Sequence, residues 1–177
     1  SEAIPGGAFN IVKTIEKGGK FLGSTINNSR VDKIPVIWGE NLGIKQTFYN
    51  KKPFQSIVIS DVKKYEMEPS VILHEYGHYV MDSKAGLPAN AGGVHSIYGI
   101  YNNTRMTYSE GWANFFSESA LGNSELKPFG ADAELPNPDV PHEGNEIAVN
   151  AVMWDLADDV NESYPDFKFS LMPWIPV

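Results

Sequence analysis

Residues 74–78 combine the side chains best suited to chemistry: they read His-Glu-Tyr-Gly-His and match the pattern H-E-x-x-H. Residues four apart on a helix lie about one turn apart on the same face, so His74 and His78 could both bind one ion at ~2.0–2.1 Å. Glu75 lies roughly 100° round the helix, where it could take a proton from metal-bound water. Zinc lowers the pKa of such water to about 7, so the pattern predicts zinc-assisted hydrolysis.

A third protein ligand is expected downstream, because catalytic zinc sites usually have three protein ligands and one open position. Position 84 is Lys84, so the extended pattern with a third histidine is absent and a carboxylate must serve. Glu110 is the preferred candidate, since it lies near the start of the next predicted helix. Gly111 and Ala113 beside it are small, which would let two helices approach closely. Glu118 is the rival ligand at similar spacing.

These motifs resemble those of the gluzincin metallopeptidases, which carry H-E-x-x-H on one helix and a glutamate ligand on the next. Residues 110–113, Glu-Gly-Trp-Ala, are similar to the segment around the third ligand of the zinc aminopeptidases, and the arrangement also resembles the thermolysin-like enzymes. The resemblance implies that Asn114 orients a ligating histidine through its side-chain oxygen. The 32-residue separation of His78 and Glu110 is longer than expected, and the missing G-x-M-E-N strand favours an endopeptidase.

The resemblance also implies a donor for the tetrahedral oxyanion beside zinc. His142 is the first candidate, because a histidine precedes a late helix in the thermolysin-like enzymes, although the registers differ by one residue; Tyr101 is the second. A solvent-exposed loop position is an equally good interpretation of His142, and packing is the alternative for Tyr101. By the same resemblance, residues 54–60 should form an exposed strand edge that binds extended peptide.

Apolar periodicity predicts the elements that position these residues. Residues 69–86 predict the helix that carries the histidine pair, with Pro69 suited to its first position. Further elements are helices at 5–17, 106–121 and 145–160, strands at 34–38, 46–49 and 56–60, and long loops at 87–104 and 127–145. Gly18-Gly19 is expected to end the first helix.

Because strands come first and helices follow, the order predicts an α+β fold. We expect one zincin-like metallopeptidase domain over residues 1–177. In it, a small mixed β-sheet and the zinc helix form an upper lobe, at about 1–86. A cleft separates them from a helical lower lobe, at about 87–177.

Composition excludes several classes of protein. The net charge of −8 argues against a nucleic-acid partner, and the absence of cysteine excludes disulfides and thiolate zinc sites. The sequence has no uninterrupted apolar run of membrane-spanning length, so we expect no membrane insertion. A secreted or cell-surface protein of prokaryotic type is expected, and a cytoplasmic location is also compatible. Calcium near residues 132–146 has no loop pattern to support it.

The sequence therefore predicts a zinc metallopeptidase with one catalytic Zn²⁺, acting on a peptide or protein substrate. Two alternatives stay open. One is a non-catalytic cell-surface or binding module that contains zinc, and the other is an amide hydrolase acting on a non-peptide substrate. The sequence predicts no particular oligomeric state.

Overall fold

The computed structural model describes residues 5–25, 33–39, 42–86, 95–134 and 144–157, which form an α+β fold, as predicted. The helices are α1 (Pro5–Thr25), α2 (Pro69–Ser83), α3 (Thr104–Leu121) and α4 (Glu146–Ala157). The strands are β1 (Val36–Ile37), β2 (Phe48–Asn50), β3 (Ser56–Val58), β4 (Glu125–Leu126) and β5 (Ala131–Asp132). No helix in these ranges is both long and apolar enough to cross a membrane.

The larger sheet has three strands in the order β1-β3-β2. β3 pairs in parallel with β1 and antiparallel with β2, so the strand within residues 54–60 is central. The expectation that this segment presents an exposed edge is therefore wrong. The outer antiparallel strand of the described sheet is β2, and its Tyr49 packs into the core at 2% exposure.

The core lies between this sheet, α2 and α1. Ile57 and Ile59 from the sheet and Ile72, Leu73 and Tyr76 from α2 are fully buried. These side chains give α2 an apolar face directed at the sheet and at α1. The histidine pair occupies another face of the same helix, directed at α3. Core packing on one side of α2 thus fixes the direction of the two histidine side chains on the other.

α1 is longer than predicted, because Gly18-Gly19 does not end it and the helix continues to Thr25. Gly18 is buried against α2, where an added Cβ would lie 2.6 Å from the Leu73 Cδ2 atom. The glycine therefore serves the close approach of two helices. A sequence pattern cannot distinguish that use of glycine from a helix end.

α3 is the central helix of the site, because it contacts both α2 and α4. Asn103 caps its start by accepting a hydrogen bond from the Met106 N–H over 3.2 Å, and Gly122 in the left-handed conformation ends it. A Cβ on Gly77 of α2 would lie 3.2 Å from the Ala113 Cα, and one on Gly111 would lie 2.7 Å from the Glu146 carbonyl oxygen. Small residues therefore do bring α3 close to its neighbours, with Ala113 facing α2 and Gly111 facing α4.

Candidate metal centre

Three potential ligand atoms meet between α2 and α3. The Glu110 Oε2 atom lies 3.0 Å from the His74 Nε2 atom and 3.1 Å from the His78 Nε2 atom. The two Nε2 atoms lie 3.1 Å apart. A tetrahedral ion with bonds of about 2.0–2.1 Å separates its ligand atoms by about 3.3–3.4 Å. The triangle therefore needs to widen by only a few tenths of an ångström to fit zinc.

The electrostatics of this triangle suit a cation. Burial opposes ionisation of Glu110, but the hydrogen bonds and charges of His74 and His78 outweigh it and lower the pKa of the Glu110 carboxyl group. Burial likewise opposes protonation of His74, yet its hydrogen bond to Glu110 and the charges of Glu75, Glu110 and Glu146 raise its pKa to about 9. A divalent ion would take the place of the proton that these groups attract.

The outer nitrogens of both imidazoles have partners as well. The Asn114 Oδ1 atom lies 2.7 Å from the His74 Nδ1 atom, and the Ser109 Oγ atom lies 3.4 Å from the His78 Nδ1 atom. An Nδ1–H bonded to Asn114 leaves the Nε2 lone pair of His74 directed at the centre of the triangle, which is the tautomer a metal needs. Sequence reasoning missed Ser109, although it directly precedes Glu110 on the same helix.

Glu75 is buried beside the histidines and contacts the outer strand. Its Oε2 atom accepts a hydrogen bond from the Tyr49 backbone N–H over 2.7 Å, which ties α2 to β2. The Glu75 charge contributes to the raised pKa of His74, so the carboxylate lies close to the face that carries the histidines. Because the Tyr49 N–H donates to Glu75, this backbone donor of β2 is not available to bind a peptide.

A second set of polar contacts joins the end of α2 to the same part of the chain. Asp82 accepts a hydrogen bond from the Tyr49 hydroxyl over 2.9 Å and another from the Gln55 side-chain amide over 3.2 Å, and it pairs with Lys51. Partial burial opposes ionisation of Asp82, but these three partners hold its pKa below the ordinary value. The helix that carries the histidines is thus fixed to β2 at two points, Glu75 and Asp82.

Two further candidates, Tyr101 and Glu118, have their described polar contacts away from the triangle. The Tyr101 hydroxyl accepts a hydrogen bond from the Ser96 N–H over 2.7 Å, so its described polar contact lies within the loop before α3. The rival ligand Glu118 is fully buried and accepts a hydrogen bond from the Asn150 side-chain amide over 3.0 Å. His142 lies outside the described residues, as do residues 135–143 of the suggested calcium segment.

His95 is a neighbour that sequence reasoning left without a role. Its Nε2 atom lies 3.7 Å from the Glu110 Oε2 atom, and its Nδ1 atom lies 3.4 Å from the Glu146 Oε1 atom. The hydrogen bond to Glu146 raises the pKa of His95, against the effect of burial. Because His95 lies in a loop, no helical spacing connects it with Glu110, and only the tertiary structure brings the two together.

Comparison with known proteins gives one family match. The family described as the mycolysin C-terminal domain matches residues 24–174 of the chain. No curated protein and no solved structure matches the chain.

This match corrects two predictions made from the sequence. The assignment to the gluzincin metallopeptidases is wrong, because the matched family is a mycolysin C-terminal domain and no H-E-x-x-H catalytic zincin domain is found. The prediction that the chain is itself a zinc metallopeptidase is wrong for the same reason, since the match is to a C-terminal accessory domain of mycolysin peptidases. The physical reason is that a short motif reports the ligands a helix can present to an ion, whereas fold and catalysis depend on the rest of the chain.

Proposed function

The chain belongs to the mycolysin C-terminal domain family, and from this premise we propose that it is a non-catalytic, zinc-containing module of a secreted peptidase. Such domains occur in secreted peptidases, which supports an extracellular location. The ion would be held by His74, His78 and Glu110 and would link α2 to α3. In this proposal the metal contributes to the stability of the module and takes no part in catalysis.

The single observation behind the proposal is the triangle of ligand atoms, with sides of 3.0–3.1 Å. Two imidazole nitrogens and one carboxylate oxygen are ligands that zinc binds in proteins. Bound zinc would neutralise the buried Glu110 carboxylate and add bonds between two helices that already approach closely at Gly77 and Ala113. Because the unfolded chain does not hold these three groups together, binding free energy becomes folding free energy.

A peptide or protein is the partner class we propose for the module. The net charge of −8 disfavours nucleic acid. Phe48 and Phe54, in and after the outer strand β2, are 42% and 55% exposed and offer apolar contact area. Aromatic side chains are enriched in protein interfaces, which agrees with this partner class.

Metal analysis and thermal unfolding together test the zinc site. The purified chain should retain tightly bound zinc, and chelation should lower its melting temperature by about 10 °C, as expected for an ion held at about 1,000 times its dissociation constant. His74→Ala and Glu110→Gln should lack that zinc and show no response to chelator. Glu125→Gln, which changes an exposed carboxylate on β4, should behave as the unaltered chain.

A hydrolysis assay tests the absence of turnover. The zinc-loaded chain should leave casein and a quenched fluorescent peptide intact. Cleavage that disappears in Glu75→Ala while zinc is retained would contradict the proposal, because it would assign a proton-transfer role to Glu75.

A further inference from the structure

A second group of potential ligands lies next to the triangle and shares one member with it. His95, Glu110 and Glu146 each offer one ligand atom, and these atoms all lie within 4.8 Å of one another. They come from three parts of the chain: the loop before α3, the first turns of α3, and the first residue of α4. Their juxtaposition is therefore a product of the tertiary structure.

The two carboxylates of this group are almost completely removed from water. Glu110 is 5% exposed and Glu146 is 4% exposed. A buried carboxylate is costly unless a cation or strong hydrogen bonds compensate its charge. One divalent ion in the triangle would compensate the charge of Glu110 but not that of Glu146.

The described hydrogen bond between His95 and Glu146 is long, so it compensates the charge of the Glu146 side chain only in part. His95 approaches it at 3.4 Å, whereas a charge-assisted N–H···O bond is about 2.7–2.9 Å long. The other nitrogen of His95 is 3.7 Å from Glu110, which is also too long for a hydrogen bond. These two distances start from different nitrogens of one ring, and only one nitrogen can bind a given ion. One ligand atom from each of the three residues lies within 4.8 Å of the others, so the group would have to contract to the spacing of about 3.0–3.4 Å that an ion with bonds of about 2.1 Å requires.

We propose that His95, Glu110 and Glu146 form a second divalent-cation subsite, which shares Glu110 with the zinc subsite of His74 and His78. The inference rests on the proposed zinc site, because Glu110 is the common ligand. Carboxylates that bridge two ions typically hold them about 3.5–4 Å apart. One imidazole nitrogen and two carboxylates suit Zn²⁺ or Mn²⁺. The second ion would join α3 to α4 as the first joins α2 to α3.

Stoichiometry distinguishes one ion from two. The metal-free full chain, titrated with Zn²⁺ in a calorimeter, should bind two ions, the second more weakly because it has one partly exposed ligand. His95→Ala and Glu146→Gln should each bind one ion, with the first affinity changed by less than about tenfold. Glu16→Gln, an exposed carboxylate on α1, is the matched control and should bind two. Circular dichroism verifies that each variant is folded, and because His95 lies in a loop, His95→Ala keeps the test valid if Glu146→Gln does not fold.

A spectroscopic readout adds geometry to the count. The chain loaded with two Mn²⁺ ions should give a spin-coupled electron paramagnetic resonance signal, and His95→Ala should give the signal of an isolated ion. Binding of one ion by the unaltered chain, with Glu146→Gln unchanged, would overturn the second subsite while the zinc module stands. Binding of one ion whose Co²⁺ absorption depends on His95 but not on Glu146 would also overturn it, since His95 would then be a fourth ligand. Binding of no ion would overturn the proposed module itself.

Discussion

Glu118 and Asn150 join α3 to α4 through one buried hydrogen bond, in which the Asn150 Nδ2 atom donates to the Glu118 Oε1 atom over 3.0 Å. Both side chains are fully buried. The second oxygen of Glu118 and the Asn150 Oδ1 atom have no hydrogen-bond partner among the described residues. Glu118, the alternative metal ligand in the sequence, therefore lies two turns further along α3 and bonds α4 instead.

The pH dependence of stability should report this buried carboxyl group. Burial raises the pKa of Glu118 to about 8, assisted by the charge of Asp132 and opposed by the Asn150 bond. Between the ordinary value of 4.5 and about 8, the folded chain holds a proton that the unfolded chain releases, so stability falls as pH rises. The contribution to this slope is up to about 1.4 kcal/mol per pH unit. Glu118→Gln should flatten the dependence and stabilise the chain most at pH 8.

Urea unfolding of both proteins at pH 5, 6.5 and 8 measures this difference. Glu125→Gln is the control, because that carboxylate is exposed on β4 and should leave the slope as it is. Equal slopes for Glu118→Gln and the unaltered chain would mean that Glu118 is ionised in the folded state.

The shared face of the histidine pair could be predicted from the sequence because its geometry is local. Helical spacing places His74 and His78 on one face, and the small residues after Glu110 indicate close helix contact. The choice between Glu110 and Glu118 could not be derived in this way. The two differ by eight residues, or roughly 80° round the helix, and the rotation of α3 against α2 is a tertiary property.

Other parts of the fold depended on long-range contacts that leave no periodic signal. The role of Gly18 is set by Leu73, 55 residues away, and the central position of β3 is set by its pairing with both β1 and β2. His95 meets Glu146 only because α4 packs on α3. The function could not be predicted from the motif either. H-E-x-x-H indicates potential metal ligands, whereas the kind of domain follows from the family match.

Replacing glycine by alanine at the two closest helix contacts, Gly111 and Gly77, should destabilise the chain to different extents. A Cβ at Gly111 would lie 2.7 Å from both the Glu146 carbonyl oxygen and the Val149 side chain, so α4 must shift. Gly111→Ala should therefore lower the free energy of unfolding by about 1–3 kcal/mol. Gly77→Ala meets the Ala113 Cα at 3.2 Å, and its cost should be largely offset by the better helix propensity of alanine, about 1 kcal/mol.

Chemical denaturation of these two variants gives the comparison directly. Gly111→Ala should also loosen the second cation subsite, because Glu146 is the residue whose backbone must move. A larger loss of stability for Gly77→Ala than for Gly111→Ala would contradict the packing described for α3.

Asn114 should control metal affinity through its contact with His74. The 2.7 Å approach of the Asn114 Oδ1 atom to the His74 Nδ1 atom holds the ring with its Nε2 atom at the triangle. Asn114→Ala should weaken zinc binding by about 10–100-fold, as is usual when the partner of a ligating histidine is removed. Asn114→Asp keeps an acceptor at the same position and should bind zinc at least as well as the unaltered chain.

Competition with a chromophoric chelator measures both Asn114 variants under the same conditions. Asn103→Ala is a useful comparison, since it removes an asparagine that caps α3 without touching the histidines. If Asn114→Ala and Asn103→Ala weaken zinc equally, the effect comes from the stability of α3 and not from His74.

Glu75 should contribute to stability through β2. Its carboxylate accepts the Tyr49 N–H over 2.7 Å at a buried position, and leaving that donor unpaired costs about 1–3 kcal/mol. Glu75→Ala should lower the free energy of unfolding by that amount, whereas Glu75→Gln, which retains an acceptor, should lose less. Both variants should keep zinc, because neither changes a ligand of the triangle. Differential scanning calorimetry with parallel metal analysis checks this, and zinc loss in Glu75→Gln would show that the carboxylate charge itself holds the ion.

Zinc binding should release a proton, and its apparent affinity should rise with pH. Without the ion, the bond to Glu110 raises the pKa of His74 to about 9, against the effect of burial. At pH 7 the ion therefore displaces a proton from this ring, and the affinity should increase by about tenfold per pH unit up to about pH 9, then level off. Calorimetry in buffers of different ionisation enthalpy counts the released protons. Equal heats of zinc binding in all of these buffers would mean that no proton is released, and would contradict the prediction.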